Sequence, residues 1–205
     1  MVNKMSRRTL VIAIPVLFAA TAPAYLRAYM LSGISDAPTL LLGDTAVVNQ
    51  AAYWVTFPYP QIRLFQIAQP KRGDLVQVLR PDRPLLVFKR VMALPGEAIE
   101  IRDNQVLIDN KPLPVHQLAK SDFLWVTEPH HIGGNVYDEG GHWVAFTPGV
   151  GESRNFGPIK LNSDEYFLLG DNRDVRLDCR SWGPLKETAI RGKVVVTRPT
   201  GLRRK

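Results

Sequence analysis

The sequence predicts a mainly β domain with an inserted β/loop subdomain, carried behind one N-terminal transmembrane helix. Three observations predict it: a charge-free apolar run near the N-terminus, short apolar runs bounded by Gly, Pro, Asp and Asn, and almost no helical periodicity after that first run. At 205 residues, with 45% hydrophobic and 22% charged, the composition is that of a folded domain. The single cysteine, Cys179, excludes an internal disulfide and a zinc site built from several thiolates. The net charge of +7 is concentrated at the chain ends, in Lys4, Arg7, Arg8, Arg203, Arg204 and Lys205. No basic stripe with interleaved aromatics is present, so no nucleic-acid partner is expected.

Thr9 to Leu26 carry no charge, a length that just crosses a hydrocarbon core of about 30 Å. Lys4, Arg7 and Arg8 precede the run, which keeps residues 1–8 cytoplasmic and places the rest outside. A retained anchor over residues 9–30 is expected. Ala22-Pro23-Ala24 has the small-x-small pattern of a cleaved leader, but the proline and the length of the run argue against cleavage.

Beyond the anchor, Thr45-Ala46-Val47-Val48-Asn49 suits a strand. An aromatic and proline-rich loop, Tyr53 to Pro60 with Phe65 beyond it, is placed to meet the bilayer headgroups. Gly73-Asp74 opens the strand Leu75–Leu79, and Pro84 starts one running through Lys89 to Val91. Ile99-Glu100-Ile101 and Val106-Leu107-Ile108 flank Asp103-Asn104 as a hairpin. Residues 109–160 change character, with short apolar runs and paired glycines, and read as an insertion subdomain within a core formed by 31–108 and 161–205. Strands return at Tyr166–Leu169 and Lys193–Thr197, with a helical turn near 184–190.

Chemistry concentrates at Ser35 and Lys89. A serine hydroxyl is a weak nucleophile until a base takes its proton. The histidines, His116, His130, His131 and His142, all fall in the inserted segment, and no G-x-S-x-G elbow is present. A lysine serves as the base only if its pKa falls from about 10.4 toward neutrality, roughly 4 kcal/mol of disfavoured charge that apolar burial can supply. On a strand, Val87, Lys89 and Val91 share one face while Arg90 points away. His130, His131, Asp138, Glu139 and His142 match no helix-based metal motif, and no metal is expected.

Ser35-x-x-Pro38-Thr39-Leu40 with Gly43-Asp44, Gly73-Asp74, Lys89-Arg90-Val91 with Leu94-Pro95-Gly96, and Gly170-Asp171-Asn172-Arg173-Asp174 through Asp178-x-Arg180-x-Trp182-Gly183 occur in that order. The set resembles the bacterial type I signal peptidases, the serine–lysine peptidases of family S26. That resemblance implies a single-pass endopeptidase of the bacterial cytoplasmic membrane. Its catalytic domain would lie on the outer side, cleave signal peptides from secretory preproteins beside the lipid bilayer, and need no cofactor. It assigns Ser35 as nucleophile and Lys89 as general base. Ser32, Gly33 and Asp36 fall to the oxyanion and substrate-binding region, and Asp171, Arg173, Asp178 and Arg180 brace the site through ion pairs. The chain departs from the family pattern at four positions. Gly33 stands where a hydroxyl donor is common, Asp36 where methionine is usual, Arg176 where a hydroxyl orients the lysine, and Cys179 where serine is found. A carboxylate at 36 would favour a charged Lys89. The same likeness leaves room for a non-catalytic tethered relative, or for a peptidase with narrow substrates in secretion or conjugation.

Overall fold

The computed structural model describes residues 25–58, 61–127, 134–147 and 154–198. The backbone of the molecule is a seven-stranded antiparallel sheet in the order β1-β2-β16-β5-β6-β14-β15. Its strands are β1 (Leu26–Met30), β2 (Thr45–Asn49), β5 (Leu75–Leu79), β6 (Leu86–Ala93), β14 (Glu165–Leu169), β15 (Leu185–Lys186) and β16 (Ile190–Arg198). A four-stranded sheet, β13-β7-β8-β9, joins β7 (Ala98–Arg102), β8 (Gln105–Ile108), β9 (Lys111–Pro112) and β13 (Phe156–Lys160). The remaining strands are a three-stranded sheet, β10 (Val115–Gln117), β11 (Asn135–Glu139) and β12 (Trp143–Phe146), and a ribbon of β3 (Trp54–Pro58) and β4 (Gln61–Gln66). The described residues also include two short helices, α1 (Lys120–Thr127) and α2 (Cys179–Trp182).

The strands read from apolar runs at 45–49 and 75–79 have those bounds, and the hairpin at 99–108 turns on Asp103 and Asn104 with φ of 45° and 69°. Two consecutive positive-φ residues make the tight turn that matches strand twist. The expected turn near 184–190 is a 3₁₀ turn at Glu187–Ala189.

Elsewhere the structure differs from expectation. The aromatic segment at 53–58 is not a loop but the first strand of a hairpin. Tyr53 is buried in the main core, while on β4 and just past it Ile62, Leu64, Phe65 and Ile67 are all more than half exposed. Arg63 fastens the hairpin to the large sheet by donating to the Ile190 carbonyl at 2.5 Å, with Trp54 Nε1 on Glu187 at 2.8 Å. The last five residues of the expected anchor, Leu26–Met30, form β1 and pair with β2; residues 9–24 lie outside the described residues. No helix among the described residues is long and apolar enough to cross a membrane. Within 109–160, β13 pairs with β7, and Ala145 forms an isolated parallel bridge with Asn172. The segment is therefore hydrogen-bonded into the rest of the molecule rather than appended to it.

The main core lies between the two larger sheets. Val76, Val78, Val91, Ile99, Ile101, Tyr166, Phe167, Leu168 and Cys179 meet there, all nearly or fully buried. A second cluster, with Leu31, Leu40, Val48, Leu75 and Phe88, seats the segment that carries Ser35.

Candidate active site

Ser35 follows β1 and opens a tight turn: Ala37 N–H donates to Ile34 O, and Leu40 N–H donates to Asp36 O. Lys89 sits mid-strand on β6 and is 1% exposed. The fold brings them together, with Lys89 Nζ 2.7 Å from Ser35 Oγ across 54 positions of sequence. The amine also donates to the Phe88 carbonyl, and it contacts Asp36 Oδ1 and Oδ2 at 3.0 and 3.1 Å. Ser35 Oγ in turn donates to Asp36 Oδ2 at 2.7 Å. The cluster is a closed triangle of hydroxyl, amine and carboxylate.

Asp36 therefore turns toward Lys89 and Ser35 at the edge of a cleft that it also lines. Burial pushes its carboxyl above the usual range, against the opposing pull of Lys89 and the Ser35 hydroxyl. Arg176 is exposed, and its carbonyl accepts from Ser181. Asp36 and the Phe88 carbonyl are the groups that hold the amine in place. Cys179 lies in the main core, its thiol accepting from Leu168 N–H at 3.2 Å and pushed up in pKa by burial.

The peptide of Ser35 is held from behind by the 170–173 turn. Asn172 N–H donates to Ser35 O at 3.1 Å, and Asn172 Nδ2 donates to Ile34 O at 3.2 Å. A β-carbon on Gly170 would lie 2.4 Å from Ser35 O, so only glycine fits there. Gly170 N–H is itself fixed by Asp178 Oδ2 at 3.0 Å.

The four charged residues expected to brace the site are all buried, with partners partly different from those in their own block. Asp178 pairs with Arg180, whose Nη1 also donates to the Arg173 carbonyl at 2.6 Å. Asp171 instead receives Arg90 through Nε at 2.7 Å and Nη2 at 2.5 Å, and Arg173 forks onto Glu139 of β11. Arg90 further donates to Gly73 O and Thr39 Oγ1, tying the lysine strand to the serine turn. Although burial works to raise both carboxyls, Arg90 holds Asp171, and Arg173 holds Glu139, below the usual range. Asp74 accepts from Tyr53 OH at 2.8 Å and from Lys193 at 2.6 Å, so the Gly73-Asp74 corner is a structural tie.

Thr39 and Glu139 are the braces that sequence reasoning missed. Glu139 was visible only as a member of the acidic and histidine set. There its nearest histidine contact is His142, at 3.6 Å, while His130 and His131 lie outside the described residues.

A cleft of about 420 Å³ opens beside the triangle, lined on one wall by Ser32, Gly33 and Ile34 and on the other by Leu86, Val87 and Phe88. Here β6 outruns its neighbour, since β14 pairs only with Arg90, Val91 and Ala93. Among the described residues no strand pairs with β6 over Leu86–Lys89 on that side, which leaves an edge able to receive an extended chain. Space is also open at Gly33, where an added β-carbon would meet nothing within 4 Å. Chemically, the hydroxyl can pass its proton to a neutral amine 2.7 Å away and attack a carbonyl laid in the cleft.

The chain is similar to known proteins over much of its length. Signal peptidase I of Pseudomonas fluorescens is 28% identical over 151 residues, 71% of this chain and 51% of that protein. Signal peptidase I V of Bacillus subtilis strain 168 is 28% identical over 168 residues, 81% of this chain and 82% of that protein. A crystal structure of a signal peptidase I from Enterococcus faecalis V583 matches 63% of this chain and 99% of its own at 25% identity, with a TM-score of 0.40. The chain spans about half the length of the curated Pseudomonas relatives it matches. The family model described as "Signal peptidase, peptidase S26" matches residues 4–198, nearly the whole sequence, and the chain belongs to that family.

Proposed function

We propose that this protein is a membrane-anchored serine endopeptidase that removes signal peptides from secretory preproteins through a Ser35–Lys89 dyad. The observation that carries the reading is the 2.7 Å contact between a buried lysine amine and a serine hydroxyl at the mouth of a cleft, in a chain of the signal peptidase family. Residues 31–108 and 161–205 make the catalytic core, and 109–160 form the inserted subdomain. The apolar run that starts at Thr9 and ends before β1 anchors the core on the outer face of the cytoplasmic membrane. The exposed Ile62, Leu64, Phe65 and Ile67 of the β3–β4 hairpin rest on the lipid surface.

In the reaction, a preprotein segment enters the cleft extended along β6. Lys89, once neutral, takes the proton from Ser35 Oγ as the oxygen attacks the scissile carbonyl. It then returns that proton to the leaving amine. Ser35 N–H and the backbone of Gly33, with Ser32 beside it, hold the oxyanion. Asp36 competes with the first step, because it accepts the Ser35 hydroxyl at 2.7 Å and so draws that proton away from the amine. It assists in another respect by fixing the amine's position in the absence of an orienting hydroxyl at 176.

The test is cleavage of a model preprotein by the full chain in detergent. Wild type is expected to cleave at the signal-peptide junction, with activity rising from neutral to alkaline pH. Ser35→Ala and Lys89→Ala are each expected to be inactive while remaining folded by circular dichroism. Processing that survives either substitution rules out the dyad. An inactive wild type leaves the chain a tethered, non-catalytic relative.

A further inference from the structure

Gln77 sits at the centre of β5, opposite Phe88 of β6 and Gly192 of β16. Its neighbours Val76 and Val78 face the main core, so alternation along the strand turns Gln77 to the other side, where it lines the cleft that opens on Ser35. The side chain is fully buried, and neither Nε2 nor Oε1 has a hydrogen-bond partner. Buried amides are nearly always paired, because an unpaired one loses its bonds to water and gains nothing in exchange. An apolar side chain of similar size would fill the same space without that penalty. The other charged group of the cleft does not relieve it: Arg80 is occupied by a two-pronged contact with Asp82 and by the face of Trp182.

We infer that Gln77 is a specificity-determining residue whose carboxamide pairs with an uncharged polar side chain of the substrate, a hydroxyl or a carboxamide, seated in this cleft. The inference rests on the reading of the cleft as the peptide site. A carboxamide presents one donor edge and one acceptor, which suits Ser, Thr, Asn or Gln. A carboxylate or ammonium would enter this pocket without a countercharge, since Asp36 and Lys89 already satisfy each other. Purely aliphatic side chains would leave the amide unpaired, and sites built around a hydrogen bond discriminate strongly against ligands that lack it. The substrate class is therefore an extended peptide with a neutral polar residue close to the scissile bond.

The experiment pairs two readouts on the full chain in detergent. The first is cleavage of a peptide library varied at three positions on each side of the scissile bond, by wild type and by Gln77→Met. Wild type is expected to favour Ser, Thr, Asn or Gln over Ala or Val at one position by about tenfold or more in kcat/KM, a ratio that falls to about one in the variant. The second is urea unfolding without substrate, where Gln77→Met is expected to be more stable than wild type because it removes an unpaired amide. Cleavage by wild type with no polar preference overturns the inference and leaves the peptidase reading standing. A less stable Gln77→Met shows an amide already paired within the fold and also overturns it. Failure of wild type to cleave any member overturns the peptidase reading, and with it the assignment of a substrate to Gln77.

Discussion

Two groups of buried charges lie side by side in this molecule and behave oppositely. In the brace, Asp171 and Glu139 each face an arginine fork and are held below the normal carboxylate range. At the triangle, Asp36 faces a lysine and is pushed above it. Burial acts on all three; what differs is the cation. A guanidinium is always charged and meets a carboxylate along two parallel bonds, so the pair stays ionic and rigid. An ammonium is a point charge that can give up its proton, and here it divides its contacts among a carboxylate, a hydroxyl and a carbonyl. One group is locked into two-pronged ion pairs, while in the other a hydroxyl, an amine and a carboxylate share single hydrogen bonds.

The sharpest way to break that comparison is to remove each cation in turn. Lys89→Met is expected to lower preprotein cleavage by roughly 10³-fold or more, the scale of losing an essential base. Arg90→Met is expected to cost about 3–5 kcal/mol in urea unfolding, because Asp171 is left charged and buried without its partner. Lys89→Met should destabilise less than Arg90→Met, since Asp36 can take up a proton instead. A carboxyl with a raised folded-state pKa contributes stability at low pH that is lost as pH rises through that value. The stability of Lys89→Met, followed by urea unfolding across pH, is accordingly expected to fall on going alkaline.

The brace carries the opposite sign. Its carboxyls are depressed in the folded state, so their contribution is complete above the ordinary carboxylate range. It drains away as pH falls through about 4 and below, which acid titration of wild type by circular dichroism should show. Smaller again is Asp36→Asn. The Ser35–Lys89 contact remains, so activity should be retained, any loss staying short of the roughly 10²-fold expected of an essential base. Loss of activity in Asp36→Asn would instead make Asp36 the proton acceptor. The smallest effect is expected for Gly33→Ser, a gain of roughly a few-fold in kcat from a hydroxyl placed in open space beside the oxyanion.

Much of the large sheet was legible in sequence because its strands are apolar runs between turn residues, as at Leu75–Leu79 and Tyr166–Leu169. The β3–β4 hairpin was not, since Pro58 and Pro60 speak against a strand and its outward apolar residues break the in–out alternation. Strand β13 was hidden in the same way by Gly157 and Pro158. Helix α1 contains Trp125, Val126 and Thr127, weak helix formers, and gave no periodic signal. At the site, Ser35 and Lys89 stood out through their neighbours in sequence, but partners did not. Asp171 could be read as a brace, yet nothing local says that its arginine lies 81 positions earlier in Arg90. Gln77 looked like one polar letter in an apolar strand, and only the missing hydrogen bonds give it meaning.

The brace behind Ser35 also comes late in the chain. Ribosomes make the serine turn early, and the loop that supports it some 138 positions later, counting from Ile34 to Asn172. Until that late loop docks, the carbonyls of Ile34 and Ser35 lack the Asn172 donors that brace the turn from behind. On the proposed dyad, a chain cut short before residue 170 lacks this brace and is expected to cleave no preprotein.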